Sequence, residues 1–358
     1  MISSASVKTC IDLCLGSGVD FALAILPDET TPRLFIPALA QASEIGGDPT
    51  EVFELGLWLA PYSNRISING RTDLTRAIME LPKFPLQERH APDTFPLPRI
   101  STTRQEYMER VEKVIENCRR RDGKTVFSRV ICGSGHTRSW GAIFNALSET
   151  FPSTFRFIFH TSDTGGWMGA TPETLLNVDF TTGRFHTMAF AGTRLTATPG
   201  TPWDKKNLRE NEFVSTFIAE KIKAAGVFAT AGKPRSVAYG STIEHLCRDF
   251  EGILPANRYA ELLDALNPTP ALCGTPRENA IEDIASFETH KRGCYGGFVA
   301  LKNNSILRAF VALRCCAFSG PDFAIYAGGG ITSESIAEKE WKETEAKSLF
   351  FQKYLLKT

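Results

Sequence analysis

No apolar run in the chain approaches the length of a membrane-spanning helix; the longest candidate, Phe21 to Leu26, is strand-sized. An excess of charge of either sign is also missing. Lysine plus arginine and aspartate plus glutamate stand at 40 each, so no global field favours nucleic acid or an anionic membrane. Any anionic ligand must then be held by a local constellation. The amino terminus, MISSASVKTCIDLC, lacks a basic region followed by a long apolar stretch and a cleavage site, which makes a cytoplasmic address the expectation. The nine cysteines (Cys10, Cys14, Cys118, Cys132, Cys247, Cys273, Cys294, Cys315 and Cys316) are odd in number, irregularly spaced and without a C-x-x-C pair. Neither a disulfide framework nor a zinc site is indicated, and they read as small buried hydrophobes in a reducing compartment. Fixed-period repeats and low-complexity tracts are absent as well.

What is present is ordinary in amount: 358 residues, 42% hydrophobic and 22% charged, enough for one large domain or two smaller ones. Residues 1–95 mix short apolar runs with turn clusters (ILPDETTPR, LAPYSN, SINGRTD) and lead into the proline-rich FPLQERHAPDTFPLPRIS. This predicts a strand-rich first part and an exposed connection. Thr103 to Arg120 reads as a helix, because Tyr107, Val111, Val114, Ile115 and Cys118 share a face. Strands are expected at Thr125–Cys132, Phe155–Phe159, Leu175–Phe180, Tyr295–Leu301, Ile306–Cys315 and Phe323–Ala327. Helices are expected around Ser215–Ala225 and from Ser335 to about Leu355. Strands and helices do not alternate strictly, so an α+β layered domain fits better than a doubly wound sheet.

Two helices carry carboxylates where a simple amphipathic pattern would not. Glu340, Glu343 and Lys347 form one stripe that continues into Ala346, Phe350 and Phe351; Glu210 lies three residues before Phe213 and seven before Phe217. An inward carboxylate is costly unless paired or metal-bound, and two from separate helices suit Mg²⁺, a hard cation that takes few protein oxygens. Taken alone, EKEWKETEAK is better explained by half-exposed salt bridges, since it is rich in i, i+4 charge pairs. Upstream, AGGGITSES (327–335) reads as a glycine-rich turn whose N–H groups either hold an anion or hold nothing. Arg314 and Lys347 flank it and would neutralise a small dicarboxylate, although a lone strand arginine is more often on the surface. His245 in TIEHLCRDF is singled out among the six histidines, with a structural role as its default. GSGHTRSWG (133–141) reads as a turn.

In order along the chain stand KTVFSR, GATPETLL, AGTR, LRENEFV, IEHL, LNPTPALCGTPR, ETHKRGCYGG, ALR and YAGGGI with EKEWKETEAK. Together, from about Thr103 to the C-terminus, they resemble the chorismate-utilising enzymes, which include isochorismate, salicylate, aminodeoxychorismate and anthranilate synthases. The resemblance implies a single large α+β domain with two layered β-sheets flanked by helices and the site in a cleft between them. Residues 1–95 would be a variable N-terminal part of that domain, and 96–358 its chorismate-binding region. It further implies Mg²⁺ held by Glu210 and Glu343 with Glu340 in the outer shell, and the ring carboxylate held by the metal. Tyr295, Arg314 and the Gly328–Gly330 backbone would grip the pyruvyl carboxylate, with Lys347 near the metal end. Gly192, Thr193, His245 and Ala271 would line the ring. No nucleic acid, membrane or obligatory protein partner is implied.

Two departures stand out. The family's K-(D/E)-x-x-E-H element reads Lys206-Asn207-Leu208-Arg209-Glu210-Asn211, and LNPTPA replaces LHPTPA at Asn267. Within the family, the residue opening the K-x-V-x-S-R block separates members that use water from those that use ammonia, and here it is Lys124. Glu173 in GATPET is the family's acid, and the P-T-P-A element points to an isochorismate synthase of quinone or siderophore biosynthesis. A salicylate-forming lyase and a non-catalytic chorismate-binding relative are the alternatives.

Overall fold

The computed structural model describes residues 4–39, 50–84, 96–196, 201–241 and 243–356. Among the described residues the strands form two large antiparallel sheets. The first runs β14 (Gly274–Thr275), β6 (Lys124–Ser134), β18 (Asp322–Ile331), β17 (Cys315–Ser319), β8 (Gly165–Thr171), β7 (Phe155–Thr161), β1 (Phe21–Ile25), β2 (Arg33–Phe35) and β5 (Arg71–Thr72). The second runs β11 (Ala229–Ala231), β13 (Ile243–Ile253), β10 (Arg184–Leu195), β9 (Thr174–Asp179), β16 (Ile306–Val311), β15 (Phe298–Lys302), β3 (Val52–Gly56) and β4 (Ile66–Ile68), with β12 (Arg235–Tyr239) also paired to β13. The largest core joins the two layers: Phe157, Phe159 and Trp167 from the first sheet pack with Phe53, Leu176 and Val299 from the second. This is the expected α+β, two-sheet architecture.

Helices cover the outside. Helix α1 (Ser4–Ser17) and α4 (Trp140–Thr150) seal the first sheet, burying Cys10, Ile11, Cys14, Ile143, Phe144 and Leu147 against Leu23, Ile158, Met168 and Ile325. Helix α3 (Arg104–Arg121) starts on a capping box, in which the Thr103 side chain accepts from the Glu106 N–H while the Glu106 carboxylate accepts from the Thr103 N–H. It packs its apolar face on Phe127 and Ile331 near the start of α8 (Ala337–Leu355). Helix α5 (Lys205–Ala224) lies along β10 and is capped by Asp204; α2 (Leu74–Glu80), α6 (Tyr259–Leu266) and α7 (Arg277–Phe287) are shorter.

Several expectations need correction. Residues 1–95 are not simply strand-rich: α1 and α2 lie among strands that belong to both sheets. The α1 face is built largely of cysteine and valine, which left its helical period faint. Within the proline-rich connection, residues 85–95 lie outside the described residues. The turn expected at 133–141 is short and gives way at Trp140 to α4, capped by Ser139. Tyr295 stands in the turn before β15, where its N–H donates to Arg292 O.

The glycine run is the most consequential correction. Gly328, Gly329 and Gly330 are not a turn but part of β18, paired with Ser128, Phe127 and Val126 of β6. On its other side β18 pairs with β17 only up to Ile325, so that edge of the glycine segment is free to face inward. The strand expected at Ile306–Cys315 also breaks in two. Val311 ends β16 in the second sheet, Cys315 begins β17 in the first, and Arg314 between them has φ 51°. No helix of the described residues is long and apolar enough to cross a membrane. The nine cysteines are free, and all but Cys132 are buried.

Candidate active site between the sheets

Two of the places where the chain crosses from one sheet to the other lie side by side, and each delivers a charged residue. Between β8 and β9 stands Glu173; between β16 and β17 stands Arg314. The crossings are tied together, Val311 N–H donating to Glu173 O at 3.0 Å and Ala170 N–H donating to Arg314 O at 3.2 Å. The left-handed backbone of Arg314 is unfavourable for a side-chain-bearing residue by roughly 1–3 kcal/mol. Its effect is to turn the guanidinium into the cavity instead of along a strand.

That cavity, about 50 Å³, is lined by Glu173, Gly192, Thr193, Glu210, His245, Ala271, Tyr295, Arg314, Gly328, Gly330 and Lys347, with Phe190, Leu272, Leu313 and Tyr326 as apolar wall. Each polar residue here was singled out in the sequence. Lys124 stands beside the lining residue Glu210, and Glu340 and Glu343 border a neighbouring cavity. A much larger cleft of about 1350 Å³, bordered by Asn177, His186, Phe228 and Arg308, lies elsewhere. Size favours that cleft, but the converging buried ionisable groups mark the smaller one as the chemical site.

Glu173 is almost fully buried, and burial pushes its carboxyl up to about 8 despite Lys124, the Thr269 hydroxyl and Arg314. That direction favours the protonated acid at neutral pH. The Thr269 hydroxyl, 3.5 Å from Glu173 Oε1, comes from the P-T-P-A element, after a cis Asn267–Pro268 bond. Lys124 opens β6, is buried, and stands 3.0 Å from Glu210 Oε1 without a well-directed hydrogen bond. Burial lowers its affinity for a proton, Glu210 opposes this, and Lys206 and Lys347 reinforce it; the net direction is down. Burial pushes the Glu210 carboxyl up, but Lys124, Lys206 and Lys347 outweigh it and hold the group at about 2.

At the other end, Arg314 Nη2 donates to His245 Nε2 at 2.7 Å. His245 Nδ1 therefore carries the proton, facing Thr193 Oγ1 at 3.1 Å and Gly192 O at 3.3 Å. Burial, Arg314 and Lys347 keep this imidazole neutral. Tyr239 lies beneath the guanidinium at 4.7 Å. Among the described residues Arg314 Nη1 is buried with no hydrogen-bond partner, which is a donor in want of an anion. Lys347 bonds Gly328 O at 2.9 Å and pairs with Glu343.

The glycines are needed because side chains press against them. A Cβ on Gly328 would sit 2.7 Å from Tyr295 Oη, and one on Gly329 2.9 Å from Glu340 Oε2. On Gly330 it would collide with Glu210 Oε1 and approach Lys124 Cε to 2.7 Å. The run thus makes room for the carboxylates of α5 and α8, and it does so as a strand where a turn was expected.

Two of the three asparagine departures, Asn207 and Asn211, are structural. Asn207 Oδ1 accepts from Thr193 N–H at 2.9 Å, and its amide donates to Asp204 at 3.0 Å. Asn211 donates to the carbonyls of Ala189, Ala191 and Leu246, and its Oδ1 accepts from the Ser215 hydroxyl. Asn211 thereby pins α5 to β10 and β13, away from the carboxylate cluster. Lys206, Thr269 and Tyr239 were missed in the sequence. For Lys206 a signal existed, since it lies four residues before Glu210 on one helix face.

A buried carboxyl, a buried lysine and a guanidinium with one nitrogen left without a partner, held between two sheets, define a site for a small anionic molecule. The profile of the family described as chorismate binding enzyme matches residues 67–356, and the chain belongs to that family. Among curated relatives, isochorismate synthase MenF of Haemophilus influenzae is 28% identical over 209 residues, 54% of this chain and 47% of that protein. Anthranilate synthase component 1 of Aeropyrum pernix is 27% identical over 272 residues, 70% of this chain and 60% of that protein. The chain's matches span about half the length of these relatives. In fold it is similar to the menaquinone-specific isochorismate synthase MenF of Escherichia coli, with a TM-score of 0.75 at 17% identity, covering 99% of this chain and 91% of that one.

Proposed function

We propose that the chain is an isochorismate synthase, a Mg²⁺-dependent isomerase that adds water at C2 of chorismate and releases the C4 hydroxyl. One observation carries the reading: in a chain of the chorismate-binding family, a buried carboxyl pushed toward its protonated form and a buried lysine pushed toward its neutral form lie within electrostatic reach of each other. Water is a poor nucleophile and hydroxide a poor leaving group, so the reaction asks for a base on one side of the ring and an acid on the other. Lys124 suits the first task and Glu173 the second. The free Nη1 of Arg314 is suited to a substrate carboxylate, and Tyr295 and Lys347 add a hydroxyl and a second cation.

The residues also fit a metal. Among the described residues no group of three or more His, Cys, Asp or Glu side chains forms a ready metal cage. Instead the carboxylates of Glu210, Glu340 and Glu343 converge on the Lys206 ammonium, and Glu340 Oε2 is buried without a hydrogen-bond partner. Glu210 and Glu343, with Glu340 behind them, would hold Mg²⁺, which when bound neutralises the ring carboxylate of the substrate. Turnover is expected to vanish with a chelator and to return with Mg²⁺. Glu343→Gln is expected to abolish the metal response while circular dichroism stays unchanged. Full turnover in metal-free buffer would remove the metal from the reading.

Arg314→Ala is expected to raise KM for chorismate, because a buried substrate carboxylate loses its charge-assisted partner at a cost of about 2–5 kcal/mol. Steady-state kinetics decide this, and an unchanged KM would mean that the carboxylate is held elsewhere.

A further inference from the structure

We propose that Lys206 is a built-in counter-ion that holds the cation position among Glu210, Glu340 and Glu343 in the metal-free protein, and that a divalent cation binds by displacing it. The proposal rests on the metal reading above and adds a competitor that the chain itself supplies. Lys206 Nζ lies 3.2 Å from Glu340 Oε1, 3.4 Å from Glu210 Oε2 and 4.0 Å from Glu343 Oε2. These distances are loose beside the roughly 2.7–2.9 Å of a well-formed charge-assisted bond. The ammonium sits among the carboxylates as an ion does, satisfying none of them closely.

Two further observations point the same way. Lys124 also pairs with Glu210 and Lys347 with Glu343, yet Glu340 is almost wholly buried, has Lys206 as its cation, and its Oε2, near the Gly329 backbone, has no hydrogen-bond partner among the described residues. Lys206 precedes Glu210 by four residues, the less favourable order for an ion pair within a helix, so α5 alone does not account for the contact.

The structure also offers an exit. Lys206, Glu340 and Glu343 border a second cavity of about 420 Å³ whose walls carry Asp204 and Glu334. A four-carbon stem lets the ammonium swing into that cavity while the carboxylates stay in place. An ammonium and a dication a few ångströms apart repel each other, so the two do not share the centre.

The test is titration of the purified full-length protein with MgCl₂, followed by calorimetry and by thermal unfolding. Removing a like charge a few ångströms from the ion should tighten Mg²⁺ binding by about tenfold or more in Lys206→Gln. The metal-free variant should melt below the metal-free wild type and gain more from Mg²⁺. Lys206→Arg, which keeps the charge, should not tighten binding. Equal or weaker Mg²⁺ binding by Lys206→Gln overturns the proposal while leaving the metal reading intact. Absence of binding in both wild type and variant overturns the two together. A second measurement needs no variant: acylation of the Lys206 amine, read by mass spectrometry on the wild type, should rise on adding Mg²⁺, and an unchanged or lower yield overturns the displacement.

Discussion

Lys124→Gln and Glu173→Gln are each expected to lower kcat for chorismate by about 10²–10⁴-fold, the range for loss of a positioned general acid or base. Their tasks lie in the transition state, so chorismate binding should stay close to that of the wild type. Equilibrium binding and single-turnover measurements separate the two quantities. The pH profile of kcat is expected to be bell-shaped, with signs that follow from the geometry. Glu173 acts as an acid only while protonated, and burial pushes it up to about 8, so activity falls as pH rises through that region. Lys124 acts as a base only when neutral, so activity falls toward acid; burial brings this limb down from the ordinary lysine range. Near-wild-type turnover in either variant would remove that residue from the mechanism.

Gly330→Ala should be nearly as damaging, although it removes no functional group. The backbone there is not in the left-handed region, so alanine is conformationally acceptable. The new methyl group would occupy the place of the Glu210 carboxylate and crowd the Lys124 side chain. Displacing such groups by about 1 Å costs on the order of 100-fold in rate. Circular dichroism should be unchanged while kcat and the response to Mg²⁺ both fall. Gly16→Ala is a suitable control: this exposed position in α1 has nothing within 4 Å of a new Cβ. Replacing a helical glycine there should stabilise by about 0.5–1 kcal/mol and leave turnover alone. Unimpaired turnover in Gly330→Ala would mean that the Glu210–Lys124 arrangement is not needed for the reaction.

The layered α+β class, helix α3 and the strands around the site were legible because of their apolar residues: Tyr107, Val111 and Val114 on one helix face, or the Val126–Phe127 and Val130–Cys132 clusters of β6. Helix α1 was not, since its buried face includes Cys10 and Cys14, which carry little helical signal. The glycine run was misread for a physical reason. Glycine marks turns most often, but in β18 it makes space for carboxylates from two helices, α8, which follows the strand directly, and α5, which lies more than a hundred residues earlier. The residues of the site were legible as blocks in order along the chain, not as geometry. That Glu173 and Arg314 stand at neighbouring crossings between the sheets, and that Asn207 and Asn211 spend their side chains on strand backbone, depends on pairing between distant segments. Lys206 was passed over because an i, i+4 Lys–Glu pair is ordinary on a helix surface; what is unusual is the arrival of Glu340 and Glu343 from α8 at the same ammonium.

The most direct measurement is identification of the product. Purified full-length protein is incubated with chorismate and Mg²⁺ at neutral pH, the mixture is separated by chromatography, and pyruvate is followed with lactate dehydrogenase. The expected result is isochorismate accumulating at the expense of chorismate, with no appreciable salicylate or pyruvate and no conversion once the metal is chelated. Pyruvate released in proportion to chorismate consumed, or chorismate recovered unchanged from the metal-loaded protein, would contradict it.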